Sequence, residues 1–226
     1  PGSDLPPVKE ILLPELEAAR ARFPSLTIRL GIEIGDNPPW HEEIKAWLEG
    51  WPLDYRLLSL HLVDGLDPYF PEYFERYGRD RGKAYAAYAQ ALLKSLQSWA
   101  PKDYDAMAHI GYVSKKAPFP EAQRPFRWTD APDVLDEILG ILARDGKALE
   151  INTSGYAYSD QPLPGEDLLR RFRALGGEFV VLGSDAHSPD RVGQYFSKAM
   201  ALAQACGFRY TLSFQARKAS VMPLKG

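Results

Sequence analysis

Short apolar runs at 26–33, 55–61, 104–109, 147–152, 179–184 and 210–214 punctuate the chain, and each follows a stretch of helical periodicity. The helical stretches lie at 8–22, 41–49, 71–99, 131–145, 165–175 and 190–206. Runs this short and this apolar suit strands buried on both faces, and their alternation with helices predicts a parallel sheet covered by helices. Several boundaries are legible. Asp130 is expected to cap the helix at 131–145, with Pro132 in its first turn and Gly146 closing it. Gly176-Gly177 and Gly207 are expected to end two more helices, and Gly78 and Gly82 interrupt the start of 71–99. The Pro-rich stretch 116–125 reads as a long loop behind the run at 104–109. A dinucleotide-binding sheet is the structural alternative, but no GxGxxG follows any of the runs.

The length of 226 residues suits a single domain spanning 1–226. A net charge of −3 without a long basic block disfavours long nucleic acid as a partner. No apolar run reaches the roughly 18 residues that a membrane helix needs. The single cysteine, Cys206, rules out an internal disulfide framework; it reads as a small buried thiol, and a reducing, cytoplasmic compartment is expected. The tryptophans Trp40, Trp47, Trp51, Trp99 and Trp128 show no spacing suited to base stacking, and core packing is expected for most of them.

The runs end on chemistry. Leu30-Gly31-Ile32-Glu33 closes on a carboxylate, Ser59-Leu60-His61 and Ala108-His109 on imidazoles, and Gly183-Ser184-Asp185-Ala186-His187 on both. Three of the four histidines sit at such positions. The carboxyl ends of parallel strands converge on one mouth in a barrel, so Glu33, His61, His109, Asp185 and His187 form a candidate metal site. Mixed imidazole and carboxylate donors suit Zn, Mn or Fe better than Mg or Ca. His41, at the start of a helix, reads as structural or surface-exposed. Arg124 and Arg127, in the loop after His109, are candidate phosphate contacts, with Lys115 and Lys116 weaker ones. Asn152 and Ser154 lie just past a strand end and are candidates to line the pocket, while Glu150, within that strand, is placed behind it.

Taken in order, Gly31-Ile32-Glu33, Ser59-Leu60-His61, Ala108-His109-Ile110, Glu150-Ile151-Asn152-Thr153-Ser154-Gly155 and Gly183-Ser184-Asp185-Ala186-His187 resemble successive motifs of the PHP phosphoesterases. The Glu-Ile-Asn-Thr-Ser-Gly run is similar to the histidinol-phosphatase branch. The resemblance implies a distorted (β/α)7 TIM-like barrel and two to three divalent transition metals. It further implies that Glu33 bridges two ions, that His61 and His109 complete one of these sites, that Asp185 joins Glu33 on the second, and that His187 serves a third. Glu33, Asp185 and His187 would then serve catalysis, in which a metal-bridging hydroxide attacks a small phosphorylated substrate.

One departure stands out. The family opens with a His-x-His strand and draws another histidine from its second strand, and this sequence contains neither. The N-terminal strands are expected to lie outside this sequence. The activity that the resemblance implies is hydrolysis of L-histidinol phosphate in histidine biosynthesis. Its rivals are a PHP enzyme acting on nucleotides or nucleic-acid ends, and a degenerate, non-catalytic PHP-like module.

Overall fold

The computed structural model describes residues 8–224. Seven strands form one sheet in strict sequence order: β1 (Gly31–Gly35), β2 (Tyr55–Ser59), β3 (Ala106–Met107), β4 (Ala148–Asn152), β5 (Val180–Gly183), β6 (Tyr210–Gln215) and β7 (Lys218–Pro223). The pairs from β1 to β6 are parallel, and β6–β7 is an antiparallel hairpin. The order never reverses, as a singly wound barrel requires and a doubly wound sheet does not.

The helices are α1 (Val8–Arg22), α2 (His41–Glu49), α3 (Pro71–Arg76), α4 (Arg81–Ser98), α5 (Pro132–Arg144), α6 (Glu166–Ala174) and α7 (Phe196–Ala205). They cover one face of the sheet. Leu58, Met107, Leu149, Ile151 and Val180 point toward them and join Leu92, Leu96, Leu135, Leu139, Leu168 and Phe172 in the main core. The strand period of two turns the intervening residues inward. There Leu57, Ala106, Ala108, Ala148 and Val181 form a second cluster with Tyr55, Leu212 and Phe214. Alanine dominates this inner layer because strands that curl toward one another leave little room between them.

The floor of the curled sheet is closed by the β6–β7 hairpin. Its turn residues reach back beneath the early strands, where the Ala216 amide donates to Asp54 Oδ1 (2.8 Å) and Arg29 donates to Gln215 (2.9 Å). The Arg217 guanidinium grips both oxygens of Asp105 at 2.8–3.0 Å and the Lys102 carbonyl at 2.7 Å. Tyr55 and Phe214 meet ring to ring across the same layer, 5.0 Å apart. At the other edge, β1 pairs with β2 alone among the described residues. Beside it, Trp40 (59% exposed) and Trp47 (47%) border an apolar groove with Ile32, Ile34, Ile44 and Leu48.

Several expectations need correction. The helix at 71–99 is two, because Gly78 and Arg79 adopt positive φ (63° and 57°) and Asp80 restarts the helix by accepting from the Lys83 amide (3.0 Å). Gly82 causes no break and lies in the first turn of α4. The last helix begins at Phe196 rather than 190, since Gly193 and Tyr195 turn the chain through positive φ (70° and 59°). Asp130 does not cap α5. Ala131 holds that place, and the Asp130 carboxylate instead receives the Arg127 amide and the Arg81 guanidinium. The first run starts pairing only at Gly31, since the Leu30 amide is taken by Asp54 Oδ2 (2.9 Å), and it continues to Gly35. Strand β7 was not foreseen: its turn, Ala216-Arg217, has both residues at positive φ (47° and 64°) without the Gly, Asn or Asp that usually signals one. Trp51 and Trp99 are buried as expected, while Trp40 and Trp47 are not. Cys206 is buried. Among the described residues no helix is long and apolar enough to cross a membrane.

Two predictions follow from the floor. Arg217→Ala strands the buried Asp105 carboxylate without its cation and should cost about 3 kcal/mol in urea unfolding, and Lys should rescue it poorly for want of the fork. Burial works against ionisation of Asp54, but the Ala216 and Leu30 amides outweigh it and lower its pKa. Its stabilisation is therefore full above the unfolded value near 4 and is lost as pH falls through the lower folded value. Asp54→Asn should flatten the acid limb of a stability–pH profile below about pH 4.

Candidate metal centre and substrate cavity

Glu33 sits in the middle of β1 and faces inward, between Ile32 and Ile34, which pack toward the helices. Leu57 is its partner across the β1–β2 ladder, so the next inward positions of β2 and its extension lead to His61, two residues past the strand end. His109 follows β3, whose ladder continues through the Ala108 amide on the Leu58 carbonyl (2.8 Å). Three elements therefore deliver three donors to one point. His109 Nε2 lies 2.8 Å and His61 Nε2 3.1 Å from the same Glu33 oxygen, and a ligand atom from each of the three residues falls within 4.8 Å of the others. Burial disfavours the charged form of Glu33, but the hydrogen bonds from His109 and His61 prevail and hold it well below the ordinary carboxylate range. An ionised carboxylate and two imidazole nitrogens on one centre form a donor set that fits a transition-metal ion.

A buried carboxylate stands behind this centre. Glu150 Oε2 accepts from the His109 amide (2.9 Å) and from Asn152 Nδ2 (3.2 Å), fixing the chain as it leaves β3. Burial raises the Glu150 pKa, against the charge and amide of His109. Gly183 explains the glycine of the Gly-Ser-Asp-Ala-His run. A Cβ there would overlap Glu150 Oε1 on the neighbouring strand, so only glycine lets that carboxylate stay where it holds His109.

Asp185 adopts a left-handed turn (φ 50°), a conformation that Asp tolerates better than most residues. Its Oδ2 receives the Lys115 ammonium at 2.7 Å and the Ser154 hydroxyl at 3.2 Å. Burial opposes its ionisation, but the charge and hydrogen bond of Lys115 win and its pKa falls. His187 stands apart: its side chain is 87% exposed, and its Nδ1 bonds the Asp185 carbonyl at 2.9 Å. It is outside the group formed by Glu33, His61 and His109.

A cavity of about 490 Å³ opens over the centre, lined by Glu33, His61, His109, Lys115, Ser154, Asp185 and His187 and walled by Asp67, Tyr69, Tyr112, Tyr158 and Arg191. Two expected phosphate contacts do not line it. Arg124 turns toward the backbone, donating to the Tyr158 and Phe119 carbonyls (3.2 and 3.5 Å), and so braces the loop. Arg127 lines a separate cleft beside Tyr156 and Glu166. Asn152 is buried rather than lining the cavity, and its Oδ1 receives the amide and hydroxyl of Ser154 (3.0 and 2.6 Å), which places Ser154 at the wall. His41 is structural: it bridges Asp36 (3.1 Å) and the Ser98 carbonyl (3.0 Å) and leans on Trp99.

Asp67 and Tyr69 come from an irregular loop without period and so are not legible in the sequence, and Arg191, expected inside a helix at 190–206, ends a 3-10 turn (Pro189–Arg191) instead. Asp67-Pro68-Tyr69 does carry a turn signature, realised as the Tyr69 amide on Asp67 Oδ1 (2.8 Å).

The PHP domain model matches residues 12–154, more than half of the chain. The chain belongs to the PHP family. This PHP chain is 29% identical over 208 residues to a histidinol-phosphatase of Lactococcus lactis subsp. lactis, a match spanning 90% of this chain and 74% of the relative. It is 30% identical over 209 residues to a protein of Deinococcus radiodurans named probable histidinol-phosphatase, with the same two coverages, 90% and 74%. A crystal structure of histidinol phosphate phosphatase from Lactococcus lactis subsp. lactis, complexed with Zn, L-histidinol and phosphate, superimposes with a TM-score of 0.83 at 27% identity, covering 97% of this chain and 82% of the other. The fold is thus the PHP type of TIM-like barrel.

Zinc should stabilise the protein against heat, and His109→Ala should abolish that shift. Gly183→Ala should weaken zinc binding by about tenfold without touching a donor atom, as the carboxylate behind His109 is displaced. Thermal melts with and without zinc check the first, and isothermal titration of the metal-free protein checks the second.

Proposed function

We propose that this PHP chain hydrolyses L-histidinol phosphate to L-histidinol and phosphate, a metal-dependent phosphomonoester hydrolysis in histidine biosynthesis. The observation that carries the reading is the convergence of Glu33, His61 and His109 on one point at the base of the cavity. The relatives supply the substrate: a curated relative is a histidinol-phosphatase, and a structural neighbour holds Zn, L-histidinol and phosphate.

Two to three divalent transition ions, Zn, Mn or Fe, are part of the proposal. Glu33, His61 and His109 would hold one, and Asp185 and His187, which also line the cavity, would serve the others. Such ions, when bound, neutralise phosphoryl charge and ionise water near neutral pH. The chain's own residues do the rest. Glu33 is kept ionised by its imidazole partners and so stays a ligand. Lys115, buried and fixed on Asp185, brings a cation to the wall, and Arg191 adds a second, more exposed one. Both suit phosphoryl oxygens. Ser154 is pinned by Asn152 with its hydroxyl toward Asp185. The cavity's modest volume fits a small phosphomonoester. A cytoplasmic location belongs to the same proposal and rests on the single cysteine, Cys206, which suits a reducing compartment.

Release of phosphate from L-histidinol phosphate by the zinc- or manganese-loaded protein tests the reading. Glu33→Gln and His61→Ala should each lower kcat/KM by at least about 100-fold. Wild-type turnover in either variant, or no turnover of the phosphate ester by metal-loaded wild type, would sink it.

A further inference from the structure

Three carboxylates line the cavity: Glu33, Asp67 and Asp185. Glu33 is engaged by two imidazoles and Asp185 by the Lys115 ammonium. Asp67 alone has no ion pair among the described residues. Its two hydrogen bonds, from the Tyr69 amide (2.8 Å) and the Tyr112 hydroxyl (3.1 Å), both fall on Oδ1. The carboxylate is thereby held rigidly while its negative charge lacks a cation.

The surroundings suit an organic cation. Tyr69 and Tyr112 stack with ring centroids 6.5 Å apart, Phe70 stands edge-on to Tyr69 at 5.6 Å, and Tyr158 completes this side of the wall. Aromatic faces and a carboxylate are the two recognition elements for ammonium and imidazolium groups. The rings already attract cations within the protein, since Lys116 lies 5.5 Å from the Tyr69 centroid and 5.1 Å from that of Tyr158. The cavity is therefore bipolar. Lys115, which also lies 5.3 Å from the Tyr112 centroid, and Arg191 offer positive charge beside the metal donors, and Asp67 between Tyr69 and Tyr112 offers a negative charge without an ion-pair partner among the described residues.

We propose that Asp67 is the specificity-determining residue for the alcohol half of the substrate, selecting phosphomonoesters whose alcohol carries an ammonium or imidazolium group. This deepens the phosphatase reading and rests on it for the orientation of the ester. Asp67→Asn is the sharp probe, because the amide oxygen can still accept from Tyr69 and Tyr112 while the charge is gone.

Two measurements decide it. In metal-loaded protein, kcat/KM is compared for a 2-aminoalkyl phosphate and its isosteric neutral alkyl phosphate. Wild type should prefer the cationic ester, and Asp67→Asn should cut that preference by about tenfold or more, the scale of one charged hydrogen bond. Separately, calorimetry of L-histidinol against metal-free protein should show binding weakened by a similar factor in Asp67→Asn. No cationic preference in wild type, or the same preference in both proteins, overturns the proposal. Asp67-dependent histidinol binding in a protein that hydrolyses neither ester overturns the phosphatase reading and leaves the cation site standing. Hydrolysis of both esters with a selectivity unaffected by Asp67→Asn does the reverse. If Asp67→Asn fails to fold, the wild-type comparison of the two esters still decides against the proposal when no preference is found, and Asp67→Glu, which keeps the charge, should retain the preference when it is.

Discussion

Everything at the mouth of this barrel depends on the parallel register between β1, β2 and β3. Glu33 opposite Leu57, and Leu57 opposite Ala106, set the height at which His61 and His109 emerge. Because side chains alternate faces, a slip of one residue in β1 would bury Glu33 among the helices and turn Ile32 or Ile34 toward the imidazoles. The apolar packing of Ile34, Leu58 and Met107 against the helices makes that slip costly, so the core that stabilises the fold also aims the donors. Stability and site geometry share one set of contacts.

Around that frame, charge is handled in nested pairs. Glu33 is balanced by imidazoles, Asp185 by Lys115, and Asp105 by Arg217 at the opposite end of the sheet. Glu150 has no basic side chain paired with it among the described residues and is held by an amide and a carboxamide. Buried charges at these positions would be expensive alone, and each partner brings its own geometric demand. Gly183 is the clearest case: a residue with no side chain preserves the position of a carboxylate on the next strand, which in turn fixes the chain at a histidine one strand further on.

Much of this was legible in the sequence because the strand ends are local. Glu33, His61 and His109 each close an apolar run, and such a run end shows itself within a few residues. The lateral wall was harder. Asp67 and Tyr69 reach the cavity from an irregular loop and Arg191 from a short 3-10 turn, where no period shows which way a side chain turns. Arg124 and Arg127 illustrate the cost: proximity in sequence to His109 suggested the cavity, but one guanidinium turned to the carbonyls of Phe119 and Tyr158 and the other to a different cleft. Hairpin β6–β7 was half seen for a related reason, since its turn uses Ala216 and Arg217 where glycine or asparagine would have announced it.

The β6–β7 hairpin carries a further implication, for the order of assembly. Its floor contacts join residues 112, 162 and 186 positions apart in the chain, among the longest closures in the molecule. The β1–β2–β3 ladder that aims Glu33, His61 and His109 is made of segments that leave the ribosome much earlier. Closing long loops is entropically slow, so the Glu33–His109 contact, 76 positions apart, is favoured to form before the floor beneath it is shut. A nascent chain would thus present its metal-binding face while Tyr55 and Leu57 still wait, uncovered, for Phe214 and Arg217 to arrive.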